Sequence, residues 1–165
     1  MPIIAPLYLR GVEREDERRD LAAMMYPLVR ALIDIEMPVL AAHGVSMWGY
    51  SVLSTLRSLG QMRTQAALAE AIGADKTRII GTLDELQEAG LISRTPDPDD
   101  RRVRLLSLTD EGRRVEQAVK AGIHEREDRL LAILPPADRR GFVRALAALS
   151  ALPAAEILDI AGADT

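Results

Sequence analysis

The chain has 165 residues, 48% hydrophobic and 28% charged, with a net charge of −4 and a pI near 5.3. That fits one domain of ordinary size, or one small domain with extensions, and the scarcity of aromatic residues (3%) leaves packing to Leu, Ala, Ile and Val, which suits helices. Absence of cysteine excludes disulfides, thiolate metal sites and thiol redox sensing, and the acidic balance means that any nucleic-acid contact must concentrate positive charge locally.

A cytoplasmic location is expected. No apolar run approaches the roughly 20 residues that span a bilayer, so no membrane partner is expected, and the N-terminus lacks a signal-peptide pattern. Residues 1–12 form an arm of unassigned conformation. From about Arg14 to Ala42 a helix is predicted, with Leu21, Met24, Met25, Leu28, Leu32, Ile35, Val39 and Leu40 at helical spacing. Pro27 and Pro38 should kink or segment it, and His43-Gly44 should end it.

Ser46 reads as the cap of a helix from Met47 to Leu59, with Trp48, Val52, Leu56 and Leu59 on one side and Gly60 at the end. Thr64 caps a short helix, Gln65 to Ile72, closed by Gly73; Asp75 caps another, Lys76 to Ala89, ended by Gly90-Leu91. Two strand-like stretches follow, Leu91 to Thr95 and Val103 to Leu108. Thr109 then caps a long helix through about Leu134, with Asp110 and Glu111 at its positive end. Pro135-Pro136 stops it. A last helix runs from about Ala137 to Leu152, and a short tail follows from Pro153.

The pair of helices over residues 64–90, joined by about three residues with small Ala69 and Gly73 at the crossing, has the helix-turn-helix pattern. A hairpin with an arginine-rich tip follows at once, "PDPDDRRVRLLSLTDEG" over residues 96–112, which makes the arrangement a winged helix. A guanidinium at such a tip fits the minor groove and is drawn by its negative potential. The alternative is a solvated hairpin held by internal salt bridges.

The stretch from residue 68 to 115, "LAEAIGADKTRIIGTLDELQEAGLISRTPDPDDRRVRLLSLTDEGRRV", resembles the MarR-type (multiple antibiotic resistance regulator) winged-helix transcription factors. Its most specific element is Asp-Pro-Asp-Asp-Arg-Arg, five residues, then Leu-Thr-Asp-Glu-Gly. The resemblance implies a mainly α fold with a small β-hairpin wing: a winged helix-turn-helix domain over 46–111 and a helical dimerisation region formed by 1–45 and 112–165. It also implies a homodimer that binds double-stranded DNA at a pseudo-palindromic operator, as a repressor relieved by a small aromatic or phenolic effector.

Within that frame Arg102 matches the minor-groove arginine and Asp100 the carboxylate that braces it, while Arg101 and Arg104 meet phosphates or pair within the wing. Lys76, Thr77 and Arg78 occupy the first turn of the recognition helix, with Thr82 further along it; Arg78 suits a guanine edge and Thr77 a phosphate or a thymine methyl. Arg63, Thr64 and Gln65 are candidates for phosphate contacts at a helix start. Arg57 is as well suited to solvent as to DNA, and Arg94 to supporting the wing as to meeting DNA. The sequence departs from the family pattern at Ile80 and at Gly81, where relatives often carry a polar contact. The effector candidates are Met24, Met25, His43, Met47, Trp48 and Tyr50, residues that would serve equally well as core.

No catalytic set, phosphate loop or close metal-ligand spacing appears, so the chain is expected to be no enzyme and to need no cofactor and no metal; His124, Glu125 and Asp128 make only a weak cluster. The competing reading is a winged-helix protein–protein interaction module without DNA binding. The acidic charge and Gly81 favour it, and the intact arginine wing opposes it.

Overall fold

The computed structural model describes residues 19–60, 64–98, 100 and 103–162, apart from the side chains of Lys76 and Thr77. Its elements in chain order are α1 (Leu21–Ala42), α2 (Met47–Leu59), α3 (Gln65–Ile72), α4 (Lys76–Glu88), β1 (Ile92–Pro96), β2 (Arg104–Leu108), α5 (Asp110–Leu131), α6 (Pro136–Ser150) and α7 (Ala154–Ile160). It is mostly helical with one antiparallel hairpin, the fold class expected from the sequence.

Local capping chemistry sets the helix starts. The side chains of Ser46, Thr64, Asp75 and Thr109 each accept a backbone N–H three residues on, from Gly49, Ala67, Arg78 and Gly112. Each satisfies a donor that the first helical turn would otherwise leave unpaired. Gly73 closes α3 in the left-handed region (φ 66°), where its lack of a Cβ removes the steric cost, and the chain turns directly into α4.

Two apolar clusters hold these elements. The larger lies inside the winged helix, where Leu53, Leu68, Leu83 and Leu106 are fully buried between α2, α3, α4 and the hairpin. The smaller joins Val39 and Leu40 of α1 to Val119 and Ile123 of α5. There Gly122 lets the helices approach closely: a Cβ on it would lie 2.8 Å from Val39 Cγ1.

Three expectations change, and a fourth gains detail. The first helix begins at Leu21 rather than near Arg14, because Asp20 is extended (φ −57°, ψ 140°); residues 14–18 lie outside the described ones. Pro27 and Pro38 do not segment α1, which is continuous through both. Leu59 is 61% exposed, since the buried face of α2 runs through Gly49, Val52, Leu53 and Leu56. The short tail expected from Pro153 holds a seventh helix, which Pro153 precedes at a position where its missing N–H costs nothing.

The first half of α1, α6 and α7 keep their apolar side chains outside both clusters. Met25, Tyr26 and Val29 are exposed on α1, as are Phe142, Leu146 and Leu149 on α6 and Ile157 and Ile160 on α7. Neither α6 nor α7 has a buried residue. No single described helix is long and apolar enough to cross a membrane; α6 and α7 pass such a test only together, and they bend by 104°.

Candidate nucleic-acid interface

The turn between α3 and α4 places the first turn of α4 at the surface. Ala74 N donates to Ala69 O at 2.9 Å, and Asp75 Oδ1 accepts from Arg78 N at 2.9 Å. Inward-facing Ile79, Leu83 and Leu86 anchor the helix in the larger cluster. Its outer face then carries Arg78, Ile80, Gly81, Asp84, Glu85 and Glu88. The Arg78 side chain is 56% exposed, with Nε 3.7 Å from Asp75 Oδ2 and the guanidinium 5.4 Å from the Trp48 ring centroid. The backbones of Lys76 and Thr77 lie in the same turn.

Thr82 points inward. It is 8% exposed and its hydroxyl donates to Arg78 O at 3.1 Å, a position for helix packing rather than groove contact. Asp84 accepts from Arg94 Nη2 at 2.7 Å, so Arg94 ties β1 to α4. Arg57 turns toward the buried Glu116 of α5, 3.9 Å away. Thr64 is exposed and Gln65 half-buried at the start of α3; Arg63 lies outside the described residues.

A Cβ on Gly81 would meet nothing within 4 Å, so this glycine is not required by packing. Gly81→Ala is therefore expected to stabilise the fold by about 0.5–1 kcal/mol, the helix-propensity difference alone. Denaturant melts monitored by circular dichroism check this, and a loss of stability would show that α4 needs the glycine.

The wing is built in register, from Ile92 opposite Leu108 to Pro96 opposite Arg104. Ser93 and Ser107 hydroxyls pair across it at 2.9 Å. At its tip Asp97 N donates to Val103 O and Val103 N to Asp100 O, both at 2.9 Å. Asp97 is 2% exposed, whereas Asp100 and Arg104 are exposed. Asp97 and Asp100 thus differ: Asp97 is folded into the base of the tip. Nothing in the residue types distinguishes Asp97 from its neighbours, so sequence reasoning missed it. Arg101 and Arg102, and with them the Asp100–Arg102 brace, lie outside the described residues.

Thr109 latches the hairpin to α5. Its hydroxyl donates to Gly90 O at 2.7 Å and accepts from Gly112 N at 2.9 Å, while its N–H donates to Leu91 O at 3.1 Å. Asp110 follows at the positive end of the helix. The hydrogen bond and charge of Arg113 hold its carboxyl below the ordinary carboxylate range.

The effector candidates separate. Met47 and Tyr50 pack against the α1–α5 cluster, and Tyr50 also lines an open cleft of about 320 Å³ with Ser51, Ser54, Thr55 and Ile72. Burial raises the Tyr50 phenol above its ordinary pKa, and the charges of Glu116, Glu36 and Glu127 raise it further. Trp48 instead faces α4 through Arg78. His43 is exposed at the end of α1. Met24 and Met25 are exposed about 28 Å from it along the helix axis, too far to share one small-molecule site within the chain. Among the described residues no group of three His, Cys, Asp or Glu is placed to hold a metal, and Glu125 pairs with Arg129 at 2.6 Å.

Comparison with known proteins matches residues 45–103 to the MarR family. Among solved structures, CouR from Rhodococcus jostii RHA1 bound to p-coumaroyl-CoA is 28% identical with a TM-score of 0.66, covering 81% of this chain and 94% of that one. The transcriptional repressor CouR bound to a 23-mer DNA duplex is 28% identical at a TM-score of 0.68, over 79% of this chain and 92% of that one. A mutant MarR from E. coli shares the fold at a TM-score of 0.72 with 18% identity, over 81% of this chain and 98% of that one.

Proposed function

We propose that this chain, whose residues 45–103 are a MarR-family segment, is a transcriptional regulator that binds duplex DNA as a homodimer and represses by occluding a promoter. The observation that carries the reading is the capped, outward first turn of α4 followed at once by a hairpin latched to α5. The two present a helix start and a hairpin from one compact core, as a helix for the major groove and a wing for the minor groove require, and the sequence between the strands carries Arg101 and Arg102. The similarity to a repressor solved on a DNA duplex supports it.

Residues 1–45 and 112–165 are the proposed dimerisation region. The apolar faces of α1, α6 and α7, outside both clusters, are what a second copy would cover. On the DNA side, Arg63, Thr64, Gln65 and Lys76 serve phosphates, Thr77 a phosphate or a thymine methyl, Arg78 a base edge and Arg102, braced by Asp100, the minor groove, while Arg101 and Arg104 meet phosphates or pair within the wing. A small aromatic effector would act by favouring a spacing of the two recognition helices that mismatches the half-sites. The carboxylates around Tyr50 make that side of α2 negative, which disfavours an anionic effector there.

Titrating the protein against its own upstream DNA at two salt concentrations tests the proposal. With at least six phosphates neutralised, affinity is expected to fall about 1,000-fold between roughly 50 and 200 mM salt. Absent or salt-independent binding would favour the protein–protein module, the reading that the net charge of −4 and Gly81 support. Within the DNA-binding account, Lys76→Ala is expected to weaken binding to all sequences alike, while Arg78→Ala also relaxes preference at one base position. Binding measured on a panel of single-base variants separates them, and equal losses on every sequence for both would remove the base-reading role of Arg78.

A further inference from the structure

We propose that Trp48 is a positioning residue for base reading: without touching DNA itself, its indole fixes the direction in which Arg78 leaves α4. The inference rests on the DNA-binding function proposed above. Three contacts converge on Arg78. Its backbone N–H donates to Asp75 Oδ1 at 2.9 Å, its Nε lies 3.7 Å from Asp75 Oδ2, and its guanidinium sits 5.4 Å from the Trp48 ring centroid. Asp75 and Arg78 belong to the same helix start, whereas Trp48 comes from the first turn of α2.

An exposed arginine samples many rotamers, and ordering it on a base edge costs conformational entropy. A ring on one side of the guanidinium plane and a carboxylate beside it remove most of those rotamers before DNA arrives. A cation–π contact at an exposed site changes an equilibrium by about two- to fivefold, enough to alter a base preference without deciding whether DNA binds.

The neighbours of Trp48 give the contact a second meaning. Met47 and Tyr50 pack on the α1–α5 cluster, and the next residue, Gly49, is buried in α2. The first turn of α2 therefore touches the long helices with two side chains and the reading arginine with a third. A shift of α1 or α5 against α2 would displace the ring that holds Arg78.

The test measures wild type, Trp48→Leu, Trp48→Phe, Arg78→Ala and the Trp48→Leu/Arg78→Ala double variant on selected DNA, its single-base variants and unrelated DNA. Trp48→Leu is expected to reduce discrimination about two- to fivefold at the base position that Arg78→Ala affects, with salt dependence and unrelated-DNA binding unchanged. Trp48→Phe keeps a ring face and is expected to retain part of the preference. The double variant should lose no more discrimination than Arg78→Ala alone.

Uniform weakening on every sequence, intact preference in Trp48→Leu, or additive losses in the double variant would each overturn the proposal. If Trp48→Leu does not fold, Trp48→Phe decides: unchanged discrimination together with unchanged Arg78 dependence contradicts it. Failure of wild type to bind DNA would instead remove the parent reading.

Discussion

Gly112→Ala is expected to destabilise the protein by about 3 kcal/mol or more, the upper range for overpacking, because the clash is with backbone. A Cβ at this position would lie 1.9 Å from Leu91 O, 2.9 Å from Leu91 C and 3.2 Å from Leu108 Cδ2. Neither wall is free to give. Leu91 O accepts from Thr109 N at 3.1 Å, and Leu91 N donates to Leu86 O at 2.9 Å. Gly112 N itself donates to Thr109 Oγ1 at 2.9 Å. The substitution must therefore part the start of α5 from the base of the wing, which breaks the Thr109 latch. The melting temperature should fall by roughly 6–12 °C for a chain of this size. Thermal and denaturant unfolding followed by circular dichroism check it, and unchanged stability would contradict the close approach. Gly81→Ala is the internal control, with the opposite sign at a glycine in open space.

Arg102→Ala is expected to weaken binding to operator DNA about 100-fold while leaving the fold intact. A charge-assisted contact of about 1.5 kcal/mol, lost once per half-site, gives that factor for a dimer. The hairpin is fixed by the β1–β2 register and by the Asp97 N–H donating to Val103 O, so removing a side chain from the segment between the strands is expected to leave the scaffold in place. Arg102→Lys should recover only part of the loss, because an ammonium lacks the planar fork that fills a narrow groove. Fluorescence anisotropy on labelled duplex gives the affinities. Equal binding by wild type and Arg102→Ala would show that the wing does not enter DNA.

The features legible from sequence are those whose physics is local. A cap is an interaction across three residues, and Ser46, Thr64, Asp75 and Thr109 were all readable because Ser, Thr and Asp precede apolar-periodic runs. The hairpin was readable within about one residue at each end, since apolar strand residues flank a charged tip. Distant contacts were not. Trp48 reads as a core residue of α2, yet its ring meets Arg78 from another helix; Asp84 pairs with Arg94 across ten residues; and Asp97 is buried while the similar Asp100 is exposed. Leu59 continues an apolar stripe but lies where α2 has passed the end of its packing surface. The role of Gly112 sits between the two cases. A glycine in the first turn of a helix is visible in sequence, but its neighbour Leu91 is known only from the fold.

The measurement that bears most directly on the central claim is selection of bound sequences from random duplex DNA by the purified wild-type protein. The account predicts enrichment of a pseudo-palindrome with two half-sites about one helical turn apart, one for each recognition helix of a dimer. A selected pool indistinguishable from the starting pool, or an enriched site without two-fold repetition, would contradict it.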